Sequence, residues 1–309
     1  MLKEPTMMEK KSVKGIYAAM LTPFNDDESI WVEGIQPLVD YILGTGVDGL
    51  YAGGSSGECI LQSRDERQLL LTELADYANG KCTLIAHVGA ASTADAVALA
   101  RVAGNTGYDY VSAIPPYYYP HDYASIRDYY TAIVDAAGIP LIIYNIPALT
   151  GVDLGTRGLL NLLEEERIVG VKFTATDLFQ FWQLRQAAPN KSFFFGTDEM
   201  FLAATATGAD GGIGSTYNLI GDVYTGITQA VETGDIETAR QLQRRSNELV
   251  QLLLATGVLP GLKHALNRLG VPVGPCRQPF SSPSTESLQK LDFWIDQSIA
   301  NNLLVPVSA

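Results

Sequence analysis

Two side chains capable of amine and proton-transfer chemistry stand at the ends of apolar segments. Lys172 closes the run 168–171, and Tyr144 closes the β-rich run 140–143, 28 residues earlier (172 − 144 = 28). A lysine is costly to bury as a cation, and one use of a buried lysine is attack on a carbonyl by its neutral amine. A phenol can move protons if its environment tunes its pKa. The pair predicts Schiff-base chemistry, in which the iminium lets a neighbouring C–C bond break or form without a metal or cofactor.

A small-residue turn follows a third apolar segment. Residues 53–58 read Gly-Gly-Ser-Ser-Gly-Glu, directly after Leu50, Tyr51 and Ala52. Glycines in such a turn leave backbone N–H groups free to meet an anion, and the hydroxyls of Ser55 and Ser56 add further donors. The turn therefore predicts a site for a substrate carboxylate.

Each of these features has a plainer interpretation when it is taken alone. A lysine at a strand end is more often ion-paired, a tyrosine after a strand usually packs in the core, and a glycine-serine turn is usually only a turn. Their joint placement favours a shared site only if the fold brings the three segments together.

Short β-rich runs alternate with amphipathic helical patterns from about residue 15 to about residue 232. Eight strand-helix units in a row predict a (β/α)8 barrel, that is, an α/β TIM barrel. A doubly wound open sheet is the alternative, but no strand is followed by a G-x-G-x-x-G turn. The predicted strands are 16–21, 48–52, 83–88, 109–113, 140–144, 168–172, 192–196 and 210–213.

The predicted organisation has three parts. Residues 1–14 form a polar N-terminal segment, residues 15–234 the barrel, and residues 235–309 a helical C-terminal region. Active sites of such barrels lie at the carboxyl ends of the strands. That rule joins the turn 53–58, the tyrosines 117–119, Tyr144 and Lys172 at one end of the barrel.

Composition and charge exclude several classes of binding partner and cofactor. The net charge is −13, which disfavours nucleic acid and anionic membranes, and no apolar run approaches a membrane span. The three cysteines and three histidines are scattered without metal-ligand spacing, so we expect no disulfide framework, no metal and no cofactor. The absence of a hydrophobic stretch in residues 1–14 predicts a cytoplasmic protein.

Over nearly its whole length, the chain resembles the pyruvate-dependent class I aldolases of the dihydrodipicolinate synthase and N-acetylneuraminate lyase family. The resemblance implies a (β/α)8 barrel with a helical C-terminal part, a Schiff base between lysine and pyruvate, and a homotetramer. The matching segments are 18–24, 53–58, 86–89, 144–147, 171–172 and 208–215.

The resemblance also implies roles for individual residues. Lys172 matches the Schiff-base lysine and Tyr144 the proton-shuttling phenol. Ser55 and Ser56 match the hydroxyl residues that hold the pyruvate carboxylate, although the second is more often threonine. Tyr118 matches the tyrosine that reaches the site of a neighbouring subunit and completes a hydroxyl relay.

The resemblance also bears on the substrate, through the residues that differ between members of this family. Synthases of dihydrodipicolinate carry an arginine five residues after the phenol tyrosine, where this chain has Leu149. The loss of this carboxylate clamp disfavours aspartate semialdehyde. The segment 144–151 is instead similar to the sialic acid lyases, whose sugar-contacting residues match Thr174, Gly196, Asp198, Glu199, Ser215 and Leu259.

The expected reaction is therefore reversible cleavage of N-acetylneuraminate to N-acetylmannosamine and pyruvate. Two alternatives remain at this point. One is another pyruvate aldolase, acting on a 2-keto-3-deoxy sugar acid or making dihydrodipicolinate. The other is a barrel that binds sialic acid or pyruvate without turnover, which an intact Lys172 and Tyr144 disfavour.

Overall fold

The computed structural model describes residues 13–307, so most of the predicted polar segment 1–14 lies outside the described residues. Within this range, eight short strands are buried on almost every residue, as expected of strands covered on both faces. The strands are β1 (Gly15–Ala19), β2 (Gly49–Ala52), β3 (Thr83–His87), β4 (Tyr110–Ala113), β5 (Leu141–Asn145), β6 (Ile168–Phe173), β7 (Ser192–Phe195) and β8 (Gly211–Gly214).

All eight strands are parallel and pair in chain order, and β8 closes the sheet by pairing with β1. The predicted barrel is confirmed, and the open-sheet alternative is wrong because an open sheet has two edge strands, whereas each of these strands pairs with a neighbour on both sides. The register aligns Tyr144 of β5 with Lys172 of β6. Neighbouring strands in a sheet lie about 4.8 Å apart, so this register alone places the two side chains next to each other.

Twelve α-helices surround or extend the barrel within the described residues. Those after β2, β3 and β4 begin with capped N-termini: Ser63 forms a capping box with Glu66, and Ser92 and Asp122 accept backbone N–H groups. The helices of the barrel are α1 (Ile35–Gly44), α2 (Arg64–Ala78), α3 (Thr93–Thr106), α4 (Tyr123–Ala137), α5 (Pro147–Thr150), α6 (Gly155–Leu163), α7 (Leu178–Ala187), α8 (Phe201–Ala206) and α9 (Tyr217–Thr233).

The core has two layers. Apolar side chains on the outer face of the strands pack against the helices. A second cluster fills the barrel interior and includes Tyr17, Tyr51, Ile142, Tyr144 and Phe194. Tyr144 therefore stands at the top of a packed column of side chains, which holds its ring in place.

Three further helices follow the barrel: α10 (Ile236–Thr256), α11 (Val258–Arg268) and α12 (Thr285–Ala300). They agree in position with the predicted helical pattern, while the division of the chain at residue 234 stays a prediction. In the described part of the chain no single helix is long and apolar enough to cross a membrane. Only α10 and α11 together have that length and composition, and they are bent by 110°.

Candidate active site

Lys172 and Tyr144 meet at the carboxyl end of the barrel. Lys172 is only 3% exposed, and its Nζ atom lies 3.9 Å from the centre of the Tyr144 ring and 4.3 Å from that of Tyr51. Tyr51 is fixed by donating a hydrogen bond to Ser112 Oγ at 3.0 Å. The amine is therefore held between two aromatic rings, one of which carries a phenol suited to proton transfer.

The surroundings of Lys172 favour the neutral amine. Burial lowers the pKa of Lys172 to about 7, and the nearby carboxylate of Asp198 limits this shift. At neutral pH a large fraction of the side chain is therefore unprotonated and able to attack a carbonyl carbon.

The pKa of Tyr144 is shifted upwards, in the opposite direction to that of Lys172. Burial raises the pKa of its phenol to about 12, and a hydrogen bond with the Ser55 hydroxyl opposes this shift. The phenol is therefore protonated at rest and has a hydroxyl neighbour through which a proton can pass.

The turn after β2 faces this pair. Residues Ser55–Gly57 form a short 3-10 helix, and the Ser56 hydroxyl lies 2.6 Å from that of Ser215, which follows β8. The loops that follow β2 and β8, the two strands on either side of β1, are thus linked by hydroxyl groups beside the amine. Their hydroxyls and amides form a polar surface suited to a carboxylate.

Asp198 supplies a buried acid group after β7. The backbone N–H and hydroxyl of Thr216 both donate to Oδ2 of Asp198, at 2.9 and 2.7 Å. The other oxygen, Oδ1, is buried without a hydrogen-bond partner among the described residues. Burial raises the pKa of Asp198 to about 6, and the Thr216 hydrogen bonds oppose this shift.

Gly196 keeps the space beside the amine open. A Cβ atom at this position would overlap the Thr174 hydroxyl and lie 3.3 Å from Cε of Lys172. The Thr174 hydroxyl interacts with the Tyr144 phenol and opposes the rise in the pKa of that phenol. Since buried polar atoms normally have partners, the free Oδ1 of Asp198 marks a place where a substrate hydroxyl can bind.

A cavity of about 490 Å³ opens beside the turn. It is mainly apolar and includes Ser55 together with Leu149, whose side chain is 71% exposed. Leu149, which occupies the position of the carboxylate-binding arginine of dihydrodipicolinate synthases, thus presents an aliphatic side chain here. The remaining lining residues are Glu58, Cys59, Ile60, Leu61, Ile114, Tyr117, Ile146, Thr150, Pro279 and Phe280.

The family model described as the dihydrodipicolinate synthetase family matches residues 12–298. This match spans nearly the whole chain. The chain belongs to the dihydrodipicolinate synthetase family.

Individual members of the dihydrodipicolinate synthetase family are also close in sequence and structure. The N-acetylneuraminate lyase of Rhizobium meliloti (strain 1021) is 44% identical over 279 residues, covering 90% of this chain and 93% of the relative. The structure of CdNal from Clostridium difficile in complex with mannosamine superposes with a TM-score of 0.90 at 38% identity, covering 93% and 99% of the two chains. That of the Fusobacterium nucleatum N-acetylneuraminate lyase complexed with pyruvate has a TM-score of 0.87 at 38% identity, covering 92% and 96%.

Not every site residue expected from the family resemblance lies at the centre of this barrel. Glu199 is exposed beside Asp198, and Leu259 lies half-buried at the start of α11, packed against the main core. Tyr118 is 84% exposed on the loop after β4, with its ring edge-to-face against Tyr119 at 5.0 Å. The roles of these three residues stay predictions.

Several residues that shape this family site were not predicted from the sequence. Tyr51 contacts the amine, and His87 lies edge-to-face against Tyr144 with ring centres 5.8 Å apart. His87 Nδ1 lies 3.0 Å from the Gly53 carbonyl, and Arg67 donates to the His87 carbonyl at 2.8 Å. Burial lowers the pKa of His87 well below its usual value, so its ring is neutral. The rule that strand ends converge could have found Tyr51 and His87, since both lie at or next to a strand end.

Within residues 13–307, no group of three or more His, Cys, Asp or Glu side chains is arranged to hold a metal ion.

Proposed function

We propose that this protein is an N-acetylneuraminate lyase that cleaves the open-chain sugar acid reversibly into pyruvate and N-acetylmannosamine. The observation that carries the proposal is the buried amine of Lys172, with a pKa of about 7, in contact with the phenol ring of Tyr144. The 44% identical relative from Rhizobium meliloti carries that name.

The first step is imine formation. The neutral Lys172 amine attacks the C2 ketone, and loss of water gives a Schiff base. The hydroxyl and amide groups of Ser55 and Ser56 hold the neighbouring carboxylate. Two aromatic rings beside Nζ hold the amine and fix its direction of approach.

The second step is cleavage of the C3–C4 bond. As the bond breaks, the Tyr144 phenol takes the proton of the C4 hydroxyl and gives its own proton to the Ser55 hydroxyl, which passes its proton to the bound carboxylate. The bonding electrons move into the iminium and give an enamine, and N-acetylmannosamine leaves as an aldehyde. The same relay in reverse returns this proton to the enamine carbon. Protonation of the enamine carbon and hydrolysis of the imine release pyruvate and regenerate Lys172.

Residues around the amine are suited to a polyhydroxy chain. Charged carboxylates can accept from two vicinal hydroxyls, which fits Asp198 with its free Oδ1 and the nearby Glu199. Thr174 and Ser215 offer hydroxyls, Gly196 leaves space for the chain, and Leu259 supplies an apolar contact in this proposal. Leu149 in place of a guanidinium disfavours a second substrate with its own carboxylate.

The test is pyruvate release from N-acetylneuraminate by the purified protein, read through coupled lactate dehydrogenase. We expect steady release that N-acetylmannosamine inhibits as a product. No release from folded protein would reject this substrate. Pyruvate release from 2-keto-3-deoxy sugar acids and pyruvate consumption in the presence of aspartate semialdehyde would then be assayed. Activity in one of these assays and not with N-acetylneuraminate would identify the alternative aldolase.

We further propose that the protein works as a homotetramer in which Tyr118 enters the site of a neighbouring subunit. Tyr118 adopts a left-handed backbone conformation, with φ of 80°, and its side chain is almost fully exposed. A non-glycine residue in that region is uncommon and points to a conformation kept for a reason. An exposed aromatic side chain beside a site is suited to complete it from another subunit.

Replacing Tyr118 tests this arrangement. We expect Tyr118→Ala to lower kcat by about 10²-fold, the size typical of a lost proton-transfer group, while the melting temperature stays unchanged. Tyr119→Ala, which removes the neighbouring exposed ring, is the matched control and should keep most of the activity. Light scattering reports the assembly state of both variants. A fully active Tyr118→Ala variant, or a fully active monomer, would contradict the proposal.

We place this activity in the cytoplasm. All three cysteines, Cys59, Cys82 and Cys276, are free, which suits a reducing compartment.

A further inference from the structure

A buried ion pair lies outside the catalytic groups, between the carboxylate-binding turn and the C-terminal region. Lys263 of α11 is 1% exposed and Glu58 is 3% exposed. Lys263 Nζ lies 2.9 Å from Oε1 of Glu58, and the backbone N–H of Arg277 donates to Oε2 at 2.9 Å. Oε1 of Glu58 is therefore ion-paired and Oε2 accepts a hydrogen bond, in both cases with a residue more than 200 positions later in the chain.

Glu58 is joined directly to the turn that holds Ser55 and Ser56. Its backbone N–H donates to the Ser55 carbonyl at 3.1 Å, and its φ of 59° is left-handed. Such a conformation costs a non-glycine residue about 1–3 kcal/mol and persists where the surroundings enforce it. The ion pair with Lys263 and the hydrogen bond from Arg277 hold the side chain of the residue that adopts this conformation, directly after the Ser55–Gly57 turn.

The C-terminal side of the contact is equally fixed. Lys263 donates to the Pro275 carbonyl at 2.7 Å. The Arg277 guanidinium donates to the carbonyls of Glu28 and Leu61, each at 2.8 Å, and pairs with Glu66. The chain just beyond Arg277 forms part of the cavity wall that includes Ser55.

Stability alone does not account for this ion pair. Removing two charges from water is costly, and apolar residues of the same volume often give an equal or higher stability. Burial lowers the pKa of Lys263, although Glu58 opposes the shift. What the pair provides that apolar residues would not is a defined direction for the Glu58 carboxylate and thus for the backbone at residue 58.

We propose that Lys263 and Arg277 are positioning residues that act through Glu58 to hold Ser55 and Ser56 in the geometry that binds the substrate carboxylate. This inference rests on the proposed function, because it requires pyruvate to bind at that turn. It gives the C-terminal region a part in substrate binding that acts through Glu58.

The test is borohydride trapping of pyruvate on the protein, followed by intact mass at increasing pyruvate concentration. In Lys263→Met we expect the half-saturating concentration of pyruvate to rise about tenfold, since small displacements of binding groups carry large costs. Trapping at saturating pyruvate should still reach the wild-type level because Lys172 is untouched. The KM for N-acetylmannosamine, which does not bind at the turn, should change little.

A double variant separates positioning from stability. Glu58→Gln combined with Lys263→Met leaves no unpaired buried charge, so its melting temperature should lie closer to the wild-type value than that of Lys263→Met. Its half-saturating pyruvate concentration should nevertheless stay raised, because the turn has lost its anchor. This variant carries the test if Lys263→Met does not fold.

Arg268→Met is the matched control on the same helix, since Arg268 pairs with Asp296 of α12 and not with the turn. It should keep wild-type pyruvate binding.

Wild-type half-saturation in the double variant would overturn the inference, whatever its melting temperature. Wild-type protein that traps no pyruvate would defeat the proposed function and the inference together. If it traps pyruvate but does not cleave N-acetylneuraminate, only the substrate is wrong and the comparison of variants still decides the inference.

Discussion

Lys172→Ala is expected to release no measurable pyruvate from N-acetylneuraminate and to form no borohydride-stable adduct with pyruvate. We expect kcat to fall by about 10⁴-fold or more, because no other group can take over the covalent step. Lys172 is buried, so the loss of its cation relieves a desolvation cost and the variant should fold. Circular dichroism and the melting temperature establish that the protein is intact.

The pH dependence of trapping links this result to the environment of Lys172. Its pKa of about 7 means that the amine is protonated and unreactive below that pH and neutral above it. The trapping rate should therefore rise about tenfold per unit between roughly pH 5 and pH 7 and then level off. Because the Asp198 carboxylate raises the pKa of Lys172, Asp198→Asn should move the plateau to lower pH.

Lys191→Met is the control for Lys172. Lys191 lies just before β7 and is half-buried, and burial lowers its pKa. It donates to the carbonyls of Glu165 and Ile168. Its place at the opposite end of the barrel predicts normal trapping and normal turnover. An adduct that persists in Lys172→Ala, or disappears in Lys191→Met, would show that Lys172 is not the lysine that forms the imine.

Tyr144→Phe should separate imine formation from bond cleavage. The ring is kept, so the packing against Lys172 and the borohydride adduct with pyruvate should survive. Turnover of N-acetylneuraminate should fall by about 10²–10⁴-fold, the usual contribution of a positioned acid or base. Borohydride trapping in a single turnover gives the rate of adduct formation, and the coupled assay on the same sample gives the steady rate of pyruvate release.

Tyr108→Phe provides the comparison. Tyr108 is also buried, its hydroxyl donates to the Leu71 carbonyl at 2.9 Å, and it precedes β4 at the far end of the barrel. Loss of that hydroxyl should lower stability slightly and leave turnover intact. Unchanged turnover in Tyr144→Phe would remove this phenol from the proposed mechanism.

The trapping experiment also decides between an enzyme and a binding protein. A barrel that holds sialic acid or pyruvate without turnover has no need of a reactive amine and would show no adduct. The pKa of Lys172, lowered by burial, is the structural property that favours the enzyme.

Local patterns in the sequence were sufficient to predict the barrel and the placement of Lys172 beside Tyr144. Short apolar runs alternating with capped helices predicted eight strand-helix units, and the strand bounds agree within one or two residues. The carboxyl ends of parallel strands meet at one end of a closed barrel, so Lys172, Tyr144 and the turn at Ser55 could be placed together without any coordinates.

Only the tertiary structure decided how these groups are tuned. Full burial lowers the pKa of Lys172 to about 7 although the Asp198 carboxylate opposes the shift. The unpaired Oδ1 of Asp198 depends on packing between β7 and β8. Burial is a sum over the whole fold and has no local signature in the chain.

The contact of Glu58 with Lys263 and Arg277 was equally invisible in the sequence. These residues are separated by 205 and 219 positions (263 − 58 = 205, 277 − 58 = 219), and no periodicity relates them. The sequence by itself determined the type of fold and the meeting of Lys172 with Tyr144 at one end of the barrel, because both depend on local patterns and on strand order. The positioning of the carboxylate turn arises where distant segments pack, and only the folded chain brings those segments together.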